Sequence, residues 1–199
     1  HERIKRATVG IAGVGGLGGG SSNAATVLLA LRELCGCPAS IADLWQPARE
    51  LGADVPYFLL GGAALGFGRG DEIVRLPEPP ASRLWLAIPP LGVETARIFR
   101  SLSDLTDSPL APSMRRLLGP VARGSRSVAD FLGQNDLQAT VFRLYPEVAA
   151  VYDSLVAAGA SWVSLSGSGA CLVARFAEAR QAALARRGLA PGVELRAVR

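Results

Sequence analysis

Four short stretches carry residues able to do chemistry. The first is Gly13-Val14-Gly15-Gly16-Leu17-Gly18-Gly19-Gly20-Ser21-Ser22-Asn23. Before it runs Ala7 to Ala12, which reads as a short buried strand. After it runs Ala24 to Leu34, a strong helix-forming stretch. At such a junction unpaired backbone N–H groups and the positive end of the helix dipole point outward. Glycines let the backbone approach an anion closely, and Ser21, Ser22 and Asn23 add hydroxyl and amide groups at the helix cap. The chemistry is that of a phosphate cradle, since a flexible linker would not lead at once into a capped apolar helix. The loop lacks the Gly-Lys-Ser/Thr ending of a Walker A loop. Gly13-x-Gly15-x-x-Gly18 has the spacing of a dinucleotide fingerprint, but such loops do not normally continue into Gly19-Gly20-Ser21-Ser22.

The second stretch is Gly52-Ala53-Asp54-Val55-Pro56, with aromatics close behind. Two readings of Asp54 stand. Its carboxylate can accept the proton of a substrate hydroxyl and orient it, or it can form the turn by bonding its own backbone. The third is Ser166-Gly167-Ser168-Gly169 between two strands. It is either a plain hairpin turn or a place where small residues let a loop pack against the first glycine loop and its ligand. The fourth is Thr95 with Phe99, four apart on one helix face. A helical Phe is usually core, and here it can also be a stacking platform for a base. Cys171, Met114, Trp45, Trp85 and Trp162 read as core.

Composition sets limits on the chemistry. The 199 residues suffice for one large domain or two small ones, and 49% hydrophobic content argues against disorder. Mean hydropathy is +0.27, yet no apolar run is long enough to span a bilayer and no signal peptide is visible. The net charge is +4, from 21 basic and 17 acidic residues, and the arginines are scattered. That pattern favours an anionic small molecule or no charged partner in particular, and only weakly a nucleic acid. Cys35, Cys37 and Cys171 suit a reducing compartment, and Cys35-Gly36-Cys37 is no zinc pair. The one histidine is His1, so a Ser–His–Asp triad or a histidine metal site is not expected.

The elements that must position these residues follow from glycine, proline and periodicity. Ser22 to Leu34 is predicted helical, ending near Cys35-Gly36-Cys37-Pro38. Ser40 caps a second helix, Ile41 to Leu51. Tyr57 to Leu60, Ala63 to Phe67 and Glu72 to Leu76 read as strands. Pro77-Glu78-Pro79-Pro80 reads as a domain boundary, giving domains 1–78 and 79–199. Beyond it come a strand Arg83 to Ile88 and a helix Glu94 to Leu102. Short helices follow at Arg115 to Arg123 and Val128 to Leu132, then helices Leu137 to Leu144 and Pro146 to Ala158. Strands Trp162 to Leu165 and Ala170 to Phe176, a helix Ala177 to Arg187 and a strand Val193 to Val198 complete the order. That order suggests an α+β sandwich.

Four strings then occur in sequence: Gly16 to Ala25; Leu51-Gly52-Ala53-Asp54-Val55-Pro56-Tyr57-Phe58; Asn135-Asp136-Leu137 with Tyr145-Pro146-Glu147-Val148; and Leu165 to Ala170. Together they resemble the 4-diphosphocytidyl-2-C-methyl-D-erythritol kinases of the GHMP kinase superfamily. The resemblance runs from about Gly16 to the C-terminus. It implies a GHMP kinase fold, with a partial ribosomal-S5-like nucleotide domain and a ferredoxin-like α/β sandwich. It implies ATP-dependent phosphorylation of the 2-hydroxyl of the cytidyl-diphospho-methylerythritol intermediate in the non-mevalonate isoprenoid route.

By motif match, Gly16, Leu17, Gly18, Gly19, Gly20, Ser21, Ser22 and Asn23 would hold the ATP phosphates, with Ser21 or Ser22 touching Mg²⁺. Asp54 would be the catalytic aspartate. Thr95 and Phe99 would lie near the cytidine pocket, and Ser166, Gly167, Ser168 and Gly169 would support the site. Two departures stand. The family's N-terminal segment, with its opening strands, catalytic lysine and part of the cytidine pocket, is expected to be missing; the one lysine, Lys5, lies outside the match. Residues 6–18 locally resemble an adenylyltransferase-type dinucleotide loop. The expected protein is a cytoplasmic kinase, monomer or homodimer, acting on a small cytidyl-diphosphate substrate with neither nucleic acid nor membrane as partner. A non-catalytic nucleotide-binding remnant and an adenylyltransferase-like binder are the alternatives.

Overall fold

The computed structural model describes residues 16–76, 83–103 and 135–198. The expected strand Ala7 to Ala12, Gly13 and Gly15, the adenylyltransferase-like residues before Gly16, the Pro77 to Pro80 boundary, Met114, and the short helices Arg115 to Arg123 and Val128 to Leu132 lie outside the described residues. The described chain falls into two compact units, one of residues 18–76 and one of 16–17 with 83–103 and 135–198.

In the first unit, α1 (Gly19–Leu34) packs on α2 (Trp45–Leu51) and α3 (Val55–Leu60), and a hairpin of β1 (Ala64–Phe67) and β2 (Glu72–Arg75) follows. Ala24, Ala25, Ala48 and Val55 are buried at the helix contacts, flanked by Leu28, Phe58 and Leu59. Three alanines let the helix backbones approach closely, so little apolar volume closes this core.

Three sequence expectations are corrected here. Tyr57 to Leu60 is not a strand but most of α3. Pro56 stands in the first turn of that helix, where its missing N–H costs nothing and its fixed φ favours helix. Gly61, at φ 63°, then ends the helix. The helix expected over Ile41 to Leu51 is split into a 3₁₀ turn, Ala42–Leu44, and α2. Pro47 can neither donate to the preceding turn nor fit its ring behind a continuous α-helix. The N-cap of the 3₁₀ turn is Ile41, with no side-chain cap bond, and not Ser40 as expected; Ser40 is instead tied to the turn by Asp43 Oδ2, which accepts from both its backbone N–H and its hydroxyl at 2.7 Å. Those two bonds hold the Asp43 carboxyl below its ordinary range.

The second unit is built on a four-stranded antiparallel sheet in the order β4-β5-β3-β6, formed by β3 (Leu84–Ile88), β4 (Trp162–Leu165), β5 (Leu172–Arg175) and β6 (Glu194–Ala197). Its helices are α4 (Thr95–Ser103), α5 (Gln138–Leu144), α6 (Pro146–Ala157) and α7 (Ala179–Gly188). This is the expected α/β sandwich with the ferredoxin-like strand order. Register places Leu165, Leu172, Ala87 and Leu195 in one cross-strand row. All four are buried, because residues in register on neighbouring strands share a face. Val148, Val151 and Leu155 of α6 and Ala182 and Ala185 of α7 belong to the same core. Each fully buried Leu or Val contributes about 1.5–3 kcal/mol of transfer free energy. Cys171 is sealed in this core, and burial pushes its thiol up, so it is an unreactive packing residue.

One ion pair ties the first unit's hairpin to its helices. Asp71, in the turn between β1 and β2, is only 5% exposed and accepts from Arg49 Nε of α2 at 2.8 Å. The Arg49 hydrogen bond holds the Asp71 carboxyl below its ordinary range. An unfolded Asp71 therefore binds a proton more readily than the folded one. The pair contributes stability above the unfolded value of about 4, and loses it as pH falls through the depressed folded value. Asp71→Asn is expected to lower the urea midpoint at neutral pH. The gap from the parent chain is expected to narrow progressively below about pH 4. Unfolding curves across that range check it, and a gap independent of pH would remove the carboxylate from the account.

Candidate functional site

The glycine loop enters α1 by a left-handed turn. Gly18 is the N-cap at φ 62° and ψ 17°, a conformation in which an L side chain is strained. A Cβ there would also stand 2.7 Å from the ring of Phe58 on α3. The helix begins at Gly19, three residues earlier than expected, and no side chain caps it. Ser21, Ser22 and Asn23 are therefore not cap residues, which corrects the sequence reading. They occupy the first turns of the helix itself, with Ser22 N–H donating to the Gly18 carbonyl at 2.8 Å. The cause is Gly18, whose φ turns the chain into the helix before the serines are reached. Among the described residues no acceptor is seen for the backbone N–H groups of Gly19, Gly20 and Ser21, nor a partner for the Ser21, Ser22 or Asn23 side chains. That leaves a helix start with unsatisfied donors, the feature that attracts an anion.

Asp54 lies in the same unit, at the start of α3. Val55 N–H donates to the Gly52 carbonyl at 3.2 Å, closing a turn in which Asp54 is the second central residue, at φ −85° and ψ −11°. So Asp54 does form a turn with its backbone. Its side chain, however, makes no cap bond and is exposed, and among the described residues no hydrogen bond or ion pair engages it. The carboxylate is uncommitted. Gly70 lies beside it, since a Cβ there would be 3.9 Å from Asp54 Oδ1, and the neighbouring Asp71 is fixed by Arg49.

The second unit holds the other singled-out residues. Ser166 to Gly169 joins β4 to β5 and is a hairpin connection, closed by Gly169 N–H to the Ser166 carbonyl at 2.9 Å. It is also a packing loop: the Ser166 hydroxyl donates to the Gly16 carbonyl, and Gly16, at φ 84°, sits against the turn's carbonyls with no room for a Cβ. Ser168 shares a hydrogen bond with Thr95 at the start of α4, at 2.8 Å. Phe99, one turn on, is 54% exposed, while its neighbour Ile98 is fully buried. Phe99 is thus not core. Tyr145 backs this end of α4, accepting from Glu94 N–H at 3.3 Å with Arg97 5.7 Å above its ring.

Three residues outside the sequence candidates hold these pieces. Asn135 and Gln138 bond the backbone of the Leu165 to Gly167 segment, and Phe58 walls Gly18. An Asn whose side chain bonds the backbone two residues on, at Leu137 just before a helix, is the signal that could have found Asn135. Phe58 left no such signal, because its partner is forty residues away. Among the described residues no cluster of His, Cys, Asp and Glu is placed to hold a metal, and no helix is long and apolar enough to cross a membrane.

Comparison with known proteins bears on both units. The GHMP kinases N terminal domain matches residues 9–62, and GHMP kinases C terminal matches residues 116–192. The chain is 41% identical over 165 residues to a 4-diphosphocytidyl-2-C-methyl-D-erythritol kinase of Solibacter usitatus, covering 81% of this chain and 52% of that protein. It is 42% identical over 192 residues to the one from Bordetella parapertussis, covering 93% and 56%. The chain thus spans about half the length of these curated relatives. A crystal structure of 4-(cytidine 5'-diphospho)-2C-methyl-D-erythritol kinase superposes with a TM-score of 0.69 at 35% identity, covering 97% of this chain and 67% of that one. Homoserine kinase from Cytophaga hutchinsonii, at 21% identity and a TM-score of 0.67, shares the fold. The chain belongs to the GHMP kinases, in the family of the 4-diphosphocytidyl-2-C-methyl-D-erythritol kinases.

Proposed function

We propose that this chain carries the phosphate loop and acceptor-site residues of an ATP-dependent kinase that phosphorylates the 2-hydroxyl of 4-diphosphocytidyl-2-C-methyl-D-erythritol. The observation that supports it most lies in the first unit. Among the described residues the start of α1 has N–H groups with no acceptor, and α1 packs on α3, whose start bears a carboxylate with no partner. Phosphoryl transfer needs little covalent help from a protein. It needs an anchored phosphate chain and an aligned alcohol.

Gly16 to Asn23 hold the ATP phosphates through main-chain amides. Asp54 accepts the hydrogen bond of the acceptor hydroxyl, aims its oxygen and takes its proton as the new bond forms. The exposed Phe99 ring offers a stacking face for the cytosine base, and Thr95 a hydroxyl beside it. Ser166, Gly167, Ser168 and Gly169 support the loop. Mg²⁺, if bound, would supply positive charge that offsets the charge on the transferred group. The donors present fit such an ion, which keeps several waters and takes oxygens mainly from the nucleotide. The Ser21 or Ser22 hydroxyl, for which no partner is seen among the described residues, would hold it on the protein. The enzyme works in the cytoplasm as a monomer or homodimer, on a small molecule, with neither nucleic acid nor membrane as partner.

Asp54→Asn is expected to lower kcat by about 10²–10⁴-fold in the full-length protein, with the ATP dissociation constant changed by less than about twofold. Steady-state assays with the cytidyl substrate, beside nucleotide titration, make the measurement. An unaltered rate rejects the role of Asp54, and ATP binding without turnover in the parent protein favours a nucleotide-binding remnant.

Gly18→Ala is expected to cost about 1–2 kcal/mol from left-handed strain alone, before the push on Phe58. It is also expected to weaken ATP binding by about tenfold or more, since the displaced amides no longer converge. Urea unfolding and calorimetric titration report the two effects separately. Full ATP affinity in a destabilised variant would remove the loop from the nucleotide site.

A further inference from the structure

We propose that Asn135 is a positioning residue for the phosphate loop, acting through Ser166 on the Gly16 peptide; this rests on the reading that Gly16 to Asn23 hold phosphate. The half-buried Asn135 amide makes three hydrogen bonds. Its Nδ2 donates to the carbonyls of Leu165 at 2.9 Å and Gly167 at 2.8 Å, and its Oδ1 accepts from Leu137 N–H at 2.9 Å. Leu165 and Gly167 are the two neighbours of Ser166, so one side chain grips the backbone on both sides of it. Gln138 Oε1 adds a fourth bond, accepting from Leu165 N–H at 2.9 Å.

Ser166 is then fixed at every polar atom. Its N–H donates to the Cys171 carbonyl and its carbonyl accepts from Gly169 N–H, each at 2.9 Å. Its hydroxyl is left to donate to the Gly16 carbonyl. That last bond decides which way the Gly16–Leu17 peptide faces. In a trans peptide the C=O and the following N–H point in opposite directions. Holding the Gly16 carbonyl on Ser166 turns its partial negative charge into the turn and leaves the Leu17 N–H facing the other way. Among the described residues no acceptor is seen for that N–H. An anion is attracted by the amide and repelled by the carbonyl, so the peptide's orientation sets its worth to a phosphate.

Asparagine is the side chain that meets this geometry. Aspartate at the same length would put acceptors against two carbonyls. Glutamine is one methylene longer. Alanine would leave two carbonyls and one N–H of partly buried backbone without their partner.

The test compares Asn135→Ala, Ser166→Ala and the double variant with the parent protein. Carbonyl ¹³C shifts of Gly16, with ATP titrations and kcat and KM measurements, are the readouts. Asn135→Ala is expected to shift the Gly16 carbonyl in the same sense as Ser166→Ala. It is expected to raise the ATP dissociation constant and KM by about tenfold, the equivalent of one net hydrogen bond, while adenosine affinity and kcat stay nearly level. A merely structural role would not separate triphosphate from nucleoside. The double variant is expected to be no worse than Ser166→Ala, because the two act in series.

A Gly16 carbonyl shift moved by Ser166→Ala but untouched by Asn135→Ala would overturn the proposal. So would additive losses. Asn135→Ser, which keeps one donor, replaces the alanine variant if that fails to fold, and is expected to give a smaller change of the same sign; no change overturns the proposal as well. If the parent protein binds no ATP, the functional reading falls. The carbonyl shifts still decide whether Asn135 sets the Gly16 peptide.

Discussion

Neither Gly16 nor Gly18 has room for a Cβ, and both hold φ values that an L side chain resists. Everything proposed for the phosphate loop depends on that pair of backbone constraints. In the second unit, Gly16 lies flat against the carbonyls of the β4–β5 connection, and a side chain there would push the two apart. In the first unit, Gly18 lies against the Phe58 ring, and its left-handed turn starts α1 without a side-chain cap. A capped helix would have spent its first donors on its own side chain. In the uncapped one no acceptor is seen among the described residues for the amides of Gly19, Gly20 and Ser21. The same choice weakens the helix, since forgoing a cap costs about 1 kcal/mol and each glycine in the first turn adds to it. The close packing of Ala24 and Ala25 against α2 and α3 is what offsets this.

The sheet of the second unit explains how a mobile-looking sequence such as Ser166-Gly167-Ser168-Gly169 can act as a fixed support. Leu165 and Leu172 pair in register at the two ends of the connection, and both are buried in the row that crosses the whole sheet. Thus the loop departs from and returns to the best-packed part of the unit. Asn135 and Gln138 approach from the start of α5 and bind the segment's backbone from the side. Thr95 meets Ser168 from α4. Two helices therefore converge on this short segment, and each contributes directional bonds instead of bulk. Glycine and serine are needed because bulk would hold the elements apart.

Local rules made much of this legible. The body of α1 from Ser22 on, the hairpin at β1 and β2, and the strands β3, β4, β5 and β6 followed from propensity and turn signals, because each is encoded within one segment. The α3 helix was misread because Tyr57 to Leu60 is apolar and aromatic, a composition that suits strand and buried helix alike. The deciding signal, Pro56 as a first-turn residue, is equally good as a breaker when read alone. The serines of the loop were misread as caps because the cap preference is statistical, whereas the start of α1 is set by one glycine's φ. Phe99 carried no sequence sign of its exposure; a helix face is assigned only when the packing of Ile98 shows which side is inward. Asn135 was visible as a residue but not as a clamp, since its acceptors lie thirty positions away.

Asp54 shows the same trade between local stability and a free group. Aspartate is among the best N-cap residues, and it stands directly before α3, where a cap bond would stabilise the helix by about 1 kcal/mol. The bond is not made. A capping side chain reaches the second or third helical amide from an extended backbone, and Asp54 instead holds φ −85° and ψ −11° as the second centre of a turn. The Gly52 carbonyl, engaged by Val55 N–H, keeps it there. Gly70, beside the carboxylate, brings no side chain that could pair with it, and Arg49 is held by Asp71, the residue after Gly70. Each of these features could have neutralised the acid, and each is arranged otherwise. Among the described residues no cap, turn or ion-pair bond engages the Asp54 carboxylate, so it keeps unshared lone pairs at a fixed place in the backbone, which is what the proposed role asks of it.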